Sequence, residues 1–113
     1  MAQSIIPQNT AISGALTSPT SGITTNGRWF YDPNSSTVRV YLYARSSSNI
    51  TASMTLATIP SEYRPSSNWA LFGFMTSGGS GVAYSGRVDT NGNITQQLGS
   101  QCREVFLCGE YAI

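Results

Sequence analysis

The chain has 113 residues and a formal net charge of +1, and only 10% of its residues are charged. That length gives one domain, and so weak a charge offers no electrostatic reason to expect DNA, RNA or an anionic membrane as a partner. All six cations are Arg and the chain has no His, which excludes the usual general base, His-containing zinc sites and any Ser-His triad.

Ser and Thr make up about a quarter of the residues. A surface of this kind stays soluble by hydrogen bonding to water and suits recognition of neutral polyols. Association would help a chain of this size, which removes only about two-thirds of its unfolded surface from water alone. Cys102 and Cys108 are too few for a disulfide framework, and their spacing matches neither a CxxC redox pair nor a zinc site. They are expected to be two reduced, buried thiols in a closing strand. No metal and no cofactor are expected. Met1–Ile6 has no basic n-region and no long apolar stretch follows, so no signal peptide is expected. No run approaches the length of a membrane span, so no membrane insertion is expected.

Residues 1–27 are rich in Ser, Thr, Gly and Pro, with isolated apolar points at Ile5-Ile6, Ile12, Leu16 and Ile23. They read as an N-terminal arm with one or two short edge strands, and residues 28–113 as the main β domain. Asn26-Gly27 is a turn signal. Arg28–Tyr31 reads as a short aromatic strand, and Asp32-Pro33-Asn34-Ser35-Ser36 as a turn. Thr37–Tyr43 alternates cleanly, with Val38, Val40 and Leu42 on one face and Arg39, Tyr41 and Tyr43 on the other. Ala44–Asn49 reads as a polar loop, and Ile50–Ala57 as a strand with Ile50, Ala52, Met54 and Leu56 inward.

Thr58–Pro65 reads as an extended corner without a helix. Pro60 and Pro65 fix φ and lack a donor, and Ile59 and Arg64 are pushed toward extended geometry. Tyr63 can bury its ring there, and the Arg64 fork can reach carbonyls or Glu62. Trp69–Met75 reads as a central strand covered on both sides. Ser77–Gly81 is a glycine-serine loop. Val82–Asp89 is a strand in which Gly86 marks a bulge or close approach. Asp89–Gly92 is a hairpin turn, Asn93–Leu98 alternates, Gly99–Arg103 turns, and Glu104–Ile113 closes the domain. The fold class is therefore all-β, a compact antiparallel β-barrel or sandwich with Greek-key-like connections.

A glycosidase would need two carboxylates facing each other about 5–10 Å apart. Asp32 and Asp89 sit in turns that account for them through Asx bonding, Glu62 lies beside Arg64, and Glu104 follows Arg103. The chain therefore reads as non-enzymatic. Sugars present apolar C–H faces edged by hydroxyls, so a saccharide site wants an exposed aromatic face with convergent polar groups. Trp69, Phe74, Tyr84, Tyr41 and Tyr43 are the aromatic candidates. Trp69 and Phe74 fit a core better, given their apolar neighbours, and Tyr41 and Tyr43 fit a face packed against another copy at least as well as ligand contact. Arg87 follows Gly86, which lets a ligand approach the backbone.

Ile59-Pro60, Glu62-Tyr63, Pro65, Leu71, Gly73, Met75, Gly92 and the closing Gly109-Glu110-Tyr111 form a spaced pattern. Over about Ile50 to Ile113 it resembles the C-terminal head domain of phage receptor-binding proteins, in particular the baseplate proteins of siphophages that infect lactococci and related Gram-positive bacteria. The resemblance implies a β-barrel head that forms a homotrimer on the virion's distal tail or baseplate, assembled in the host cytoplasm beside other tail proteins. It implies a host cell-wall polysaccharide as ligand, bound near the protomer boundary. Where those heads place a Trp, this chain has Ser80-Gly81, and their His-containing positions are absent, which suggests a different glycan or a shifted pocket. The expected site is a groove lined by Gly78–Arg87 and reached by Gly99–Glu104, with Tyr84, Arg87, Trp69, Arg103 and Glu104 as saccharide-binding residues. The alternative is a structural trimeric virion or fibre cap that binds no glycan.

Overall fold

The computed structural model describes residues 12–51, 54–77, 80–96 and 102–113. They form eight strands: β1 (Ile12–Ala15), β2 (Ile23–Asp32), β3 (Thr37–Ile50), β4 (Ala57–Thr58), β5 (Trp69–Ser77), β6 (Ser80–Val88), β7 (Asn93–Gln96) and β8 (Cys102–Ala112). Every ladder is antiparallel. The strands make one sheet in the order β1-β2-β3-β8-β5-β6-β7-β4, so the last strand in the chain lies in the middle and β4 crosses to the far edge.

Alternation drives this arrangement. In β3, Val38, Val40, Leu42 and Ala44 are fully or almost fully buried, while Arg39, Tyr41 and Arg45 between them are exposed. In β8, Val105, Leu107 and Tyr111 are buried, and Phe106, Cys108 and Glu110 face out. Leu71, Val88 and Ile94 complete the core from the other half of the sheet. Each such side chain contributes roughly 1.5–3 kcal/mol through removal from water.

The all-β, antiparallel expectation holds, but the barrel does not close. The edge strands β1 and β4 are not paired with each other, and β4 has only two residues. The two halves instead meet as a sandwich, through side chains. Thr25 Oγ1 donates to the Leu56 carbonyl at 2.7 Å and Thr20 Oγ1 to the Thr55 carbonyl at 2.7 Å. The one buried polar side chain among the described residues, Gln96, donates through Nε2 to the Ile50 carbonyl at 2.8 Å, as a buried amide must.

Three sequence expectations fail locally. Asn26-Gly27 is not a turn but the middle of β2, paired with Tyr43 and Leu42. Gly27 has φ +151°, and a Cβ there would sit 2.2 Å from the Tyr41 carbonyl oxygen, so this glycine serves a close approach between strands. Ala44–Asn49 is not a loop: β3 runs through it to Ile50, with a register irregularity between Arg45 and Ile50. The strand expected over Ile50–Ala57 is not continuous: Ile50 ends β3, Ala57 begins β4, and the Met54 amide donates to the Thr51 carbonyl at 3.1 Å between them, while residues 52–53 lie outside the described residues. Gly86 matches its close-approach reading, since a Cβ there would meet Leu107 Cδ1 at 2.7 Å and the Thr95 carbonyl oxygen at 2.8 Å. The Asp89–Gly92 hairpin also forms, with Gly92 at φ +80°.

The corner holds a single 3₁₀ turn, Ser61–Tyr63, where an extended run was expected. Pro60 sits at φ −57° ahead of it, and the Tyr63 amide donates to the Pro60 carbonyl at 3.0 Å. Arg64, before Pro65, returns to extended geometry at ψ 147°, as the proline ring requires. Its Nε donates to the Ile59 carbonyl at 2.9 Å. The Tyr63 ring lies 4.7 Å from Trp29 and 5.1 Å from Tyr31, so the corner is pinned onto β2.

Candidate functional site

The register of β2, β3, β8 and β5 sorts the outer face into level rows. Thr24, Arg45, Glu104 and Thr76 share the first row. Asn26, Tyr43, Phe106 and Phe74 share the second, and Arg28, Tyr41, Cys108 and Phe72 the third. Phe30, Arg39 and Glu110 form the fourth. Positions opposed across a ladder point to the same side of a sheet, so on β3 and β8 the middle rows carry the Tyr43, Phe106 and Tyr41 rings, and each end row carries one Arg and one Glu.

Between the second and third rows runs a shallow apolar groove of about 510 Å³. Its floor is the chain of positions Gly27, Leu42, Leu107 and Gly73, and its walls include Tyr41, Tyr43, Phe106 and Cys108. Tyr41 and Phe106 are 45% and 42% exposed, a large apolar surface to leave in water. Tyr43 and Phe106 stack with ring centroids 4.5 Å apart, and Phe30 and Tyr41 stack at 5.7 Å. A Cβ at Gly73 would sit 1.7 Å from the Phe106 carbonyl oxygen, so β5 lies close against β8 beneath the groove.

Hydrogen-bonding groups gather at one end of the aromatic rows. The Tyr43 hydroxyl donates to Glu104 Oε2. That bond, together with burial and the Glu104 charge, raises the tyrosine pKa above its ordinary value, while Arg45 pulls it the other way. Arg45 also lines a second pocket of about 370 Å³ with Gly22, Thr24, Ser46 and Ser47. Arg offers a fixed fork of donors and each hydroxyl both donates and accepts. The result is a polar pocket that continues, through Arg45 and Tyr43, onto an aromatic shelf.

The structure separates the residues expected from sequence. Glu104 joins this polar end. Arg103 precedes it in β8 and is exposed. Trp69 in β5 and Arg87 in β6 lie at the other end of the β5–β6 ladder, opposed to Val88 and Ala70, about 20 Å along the strand from the Glu104 row at ~3.3 Å per residue. Trp69 is 46% exposed, so it is not the core residue its neighbours suggested. Arg87 is exposed as well. Tyr84 is placed by its backbone pairing with Gly73. Gly78, Gly79 and residues 99–101 lie outside the described residues. Cys108 is a free thiol, and it is exposed where burial was expected, because β8 alternation turns it outward with Phe106 and Glu110.

Sequence reading missed Arg45, Ser46 and Ser47, which looked like loop, and Phe106, whose signal was the outward phase of residues 104, 106, 108 and 110.

The carboxylates have local partners. Asp32 Oδ1 accepts from the Asn34 amide at 2.9 Å, and Asp89 Oδ1 from the amides of Asn91 and Asn93, both at 2.9 Å. Ser61 donates to Glu62 at 3.3 Å. Glu110 pairs with Arg39 at 3.6 Å. Among the described residues no group of three or more His, Cys, Asp or Glu is arranged to hold a metal ion, and no helix is long and apolar enough to cross a membrane. No protein-family model matches the chain, and no curated protein matches it.

Proposed function

We propose that this chain is a non-catalytic adhesion head that binds a saccharide of a Gram-positive cell surface and works as a homotrimer at the distal end of a phage tail. The observation that carries the reading is the polar pocket of Gly22, Thr24, Arg45, Ser46 and Ser47, joined through Arg45 and Tyr43 to the Tyr43–Phe106 stack. A sugar can sit in that pocket with its hydroxyls on Arg45, Glu104, Thr24, Ser46 and Ser47 and its edge against the hydroxyl end of Tyr43, which leaves the groove beyond to an apolar occupant. This moves the expected site from the Gly78–Arg87 hairpin to the β2–β3–β8 face. The resemblance in the second half of the chain supplies the phage context.

Single-site affinity is expected to be weak, because a polyol exchanges bonds to water for bonds to protein. Repeated sites in a trimer, and many trimers on a virion, would raise avidity by orders of magnitude. Turn and ion-pair partners for Asp32, Asp89 and Glu110 favour binding over hydrolysis. The apolar groove favours a second reading, a structural cap whose face serves assembly alone. Pull-down with purified Gram-positive cell walls separates the two: an adhesion head is retained and displaced by wall oligosaccharide, and a cap is not retained.

A further inference from the structure

We propose that the aromatic face of β2, β3, β8 and β5 is covered by a second copy of this chain, with the β3 half of one copy against the β8 half of the next about an axis parallel to the strands.

The groove is lined almost wholly by apolar atoms of Tyr41, Tyr43, Phe106, Leu107 and Cys108. A polyol lying there would lose its bonds to water without replacement, so the occupant of the central rows is apolar. The charges then choose the partner. On this face the cations, Arg28, Arg39 and Arg45, stand on β2 and β3, and the anions, Glu104 and Glu110, stand on β8.

Rotation about an axis parallel to the strands keeps each row level. It brings Arg45 of one copy against Glu104 of the other, Arg39 against Glu110, and Tyr43 against Phe106. Rotation about an axis running across the strands would oppose Arg45 to Arg39 and Glu104 to Glu110, like charge to like. The face is thus self-complementary in one orientation, and like charges disfavour the other. A two-fold and a three-fold axis both satisfy this condition.

The intrachain Arg39–Glu110 pair, with side chains 69% and 54% exposed, is loosely held and free to turn toward a neighbour. In such an assembly the polar pocket of Thr24, Arg45, Ser46 and Ser47 lies at the seam, and the neighbour's Glu104 forms part of its wall. Only this last point rests on the saccharide reading.

The test is sedimentation equilibrium of the whole chain. The parent protein should self-associate at micromolar concentration. Arg39→Glu should weaken association by at least about tenfold, and adding Glu110→Arg to it should restore association. The far-UV spectrum should stay native in both, since the two side chains are exposed in the single chain. Tyr41→Asp should also weaken association while the far-UV spectrum stays native. A monomeric parent overturns the proposal. So does a parent whose association is unaffected by Arg39→Glu and Tyr41→Asp, because its interface then lies elsewhere. Cell-wall retention is scored separately on the same variants, so loss of association and loss of saccharide binding are read independently.

Discussion

The Tyr111 hydroxyl donates to the Tyr63 carbonyl at 2.5 Å, joining the end of β8 to the corner 48 residues earlier in the chain. Tyr111 is 2% exposed and in the core, and Tyr63 stacks on Trp29 and Tyr31. Its hydroxyl therefore ties the middle strand to the corner that covers β2. Tyr111→Phe keeps the ring and removes the bond. It should cost about 0.5–1.5 kcal/mol, read as a shift in the urea midpoint at unchanged slope.

The same residue sets an alkaline limit. Burial raises the Tyr111 pKa above its ordinary value, and the bond to Glu104 raises that of Tyr43. Below about pH 10, where unfolded tyrosine is still protonated, these groups cause no change in stability. Above it the unfolded chain loses protons that the folded chain keeps, so stability falls as pH rises toward the folded values. Melting temperature should decline from about pH 10 upward, and less steeply in Tyr111→Phe. A flat profile through that range would show that neither hydroxyl is held as described.

Arg64 is the corner's polar clasp. Its Nε donates to the Ile59 carbonyl at 2.9 Å, and its side chain lies against Gly92, where a Cβ would meet Arg64 Nε at 2.7 Å. Arg64→Ala leaves the carbonyl of buried Ile59 short of a partner and should cost about 1–3 kcal/mol. Chemical denaturation of the purified variant checks this.

The β pattern was legible wherever one face is buried and the other is wet. Val38, Val40 and Leu42 announced β3, and Ile94 and Gln96 announced β7. Asp89–Gly92 announced its hairpin through turn chemistry. Legibility failed where local cues conflict with long-range pairing. Asn26-Gly27 carries a turn signal, but Gly27 is needed for its close contact with Tyr41. The Ser46–Ser48 run looks like loop, but pairing of Ser46 with Ile23 of β2 extends the strand into its start. The candidate site was legible in its residue types and illegible in its position. Tyr43, Arg45, Phe106 and Glu104 come together only because β8 inserts between β3 and β5, and that strand order is not written in any local stretch.

Two glycines separate crowding from backbone strain. At Gly73 a Cβ would sit 1.7 Å from the Phe106 carbonyl oxygen, so Gly73→Ala must push β5 away from β8. It should cost about 3 kcal/mol or more, at the upper end of overpacking penalties. At Gly22, with φ +87°, nothing lies within 4 Å of a Cβ. Gly22→Ala should cost only the left-handed backbone term, about 1–2 kcal/mol. Thermal melts of the two variants side by side test the strand spacing under the groove.

Saccharide recognition at the β2–β3–β8 face is tested most directly by a glycan array of Gram-positive cell-wall oligosaccharides, probed with the parent chain, Arg45→Ala and Arg87→Ala. The parent and Arg87→Ala should bind the same glycans, and Arg45→Ala should lose at least about tenfold in affinity, the scale of one charge-assisted bond. Equal binding by the parent and Arg45→Ala, or no binding by any of the three, would contradict the site.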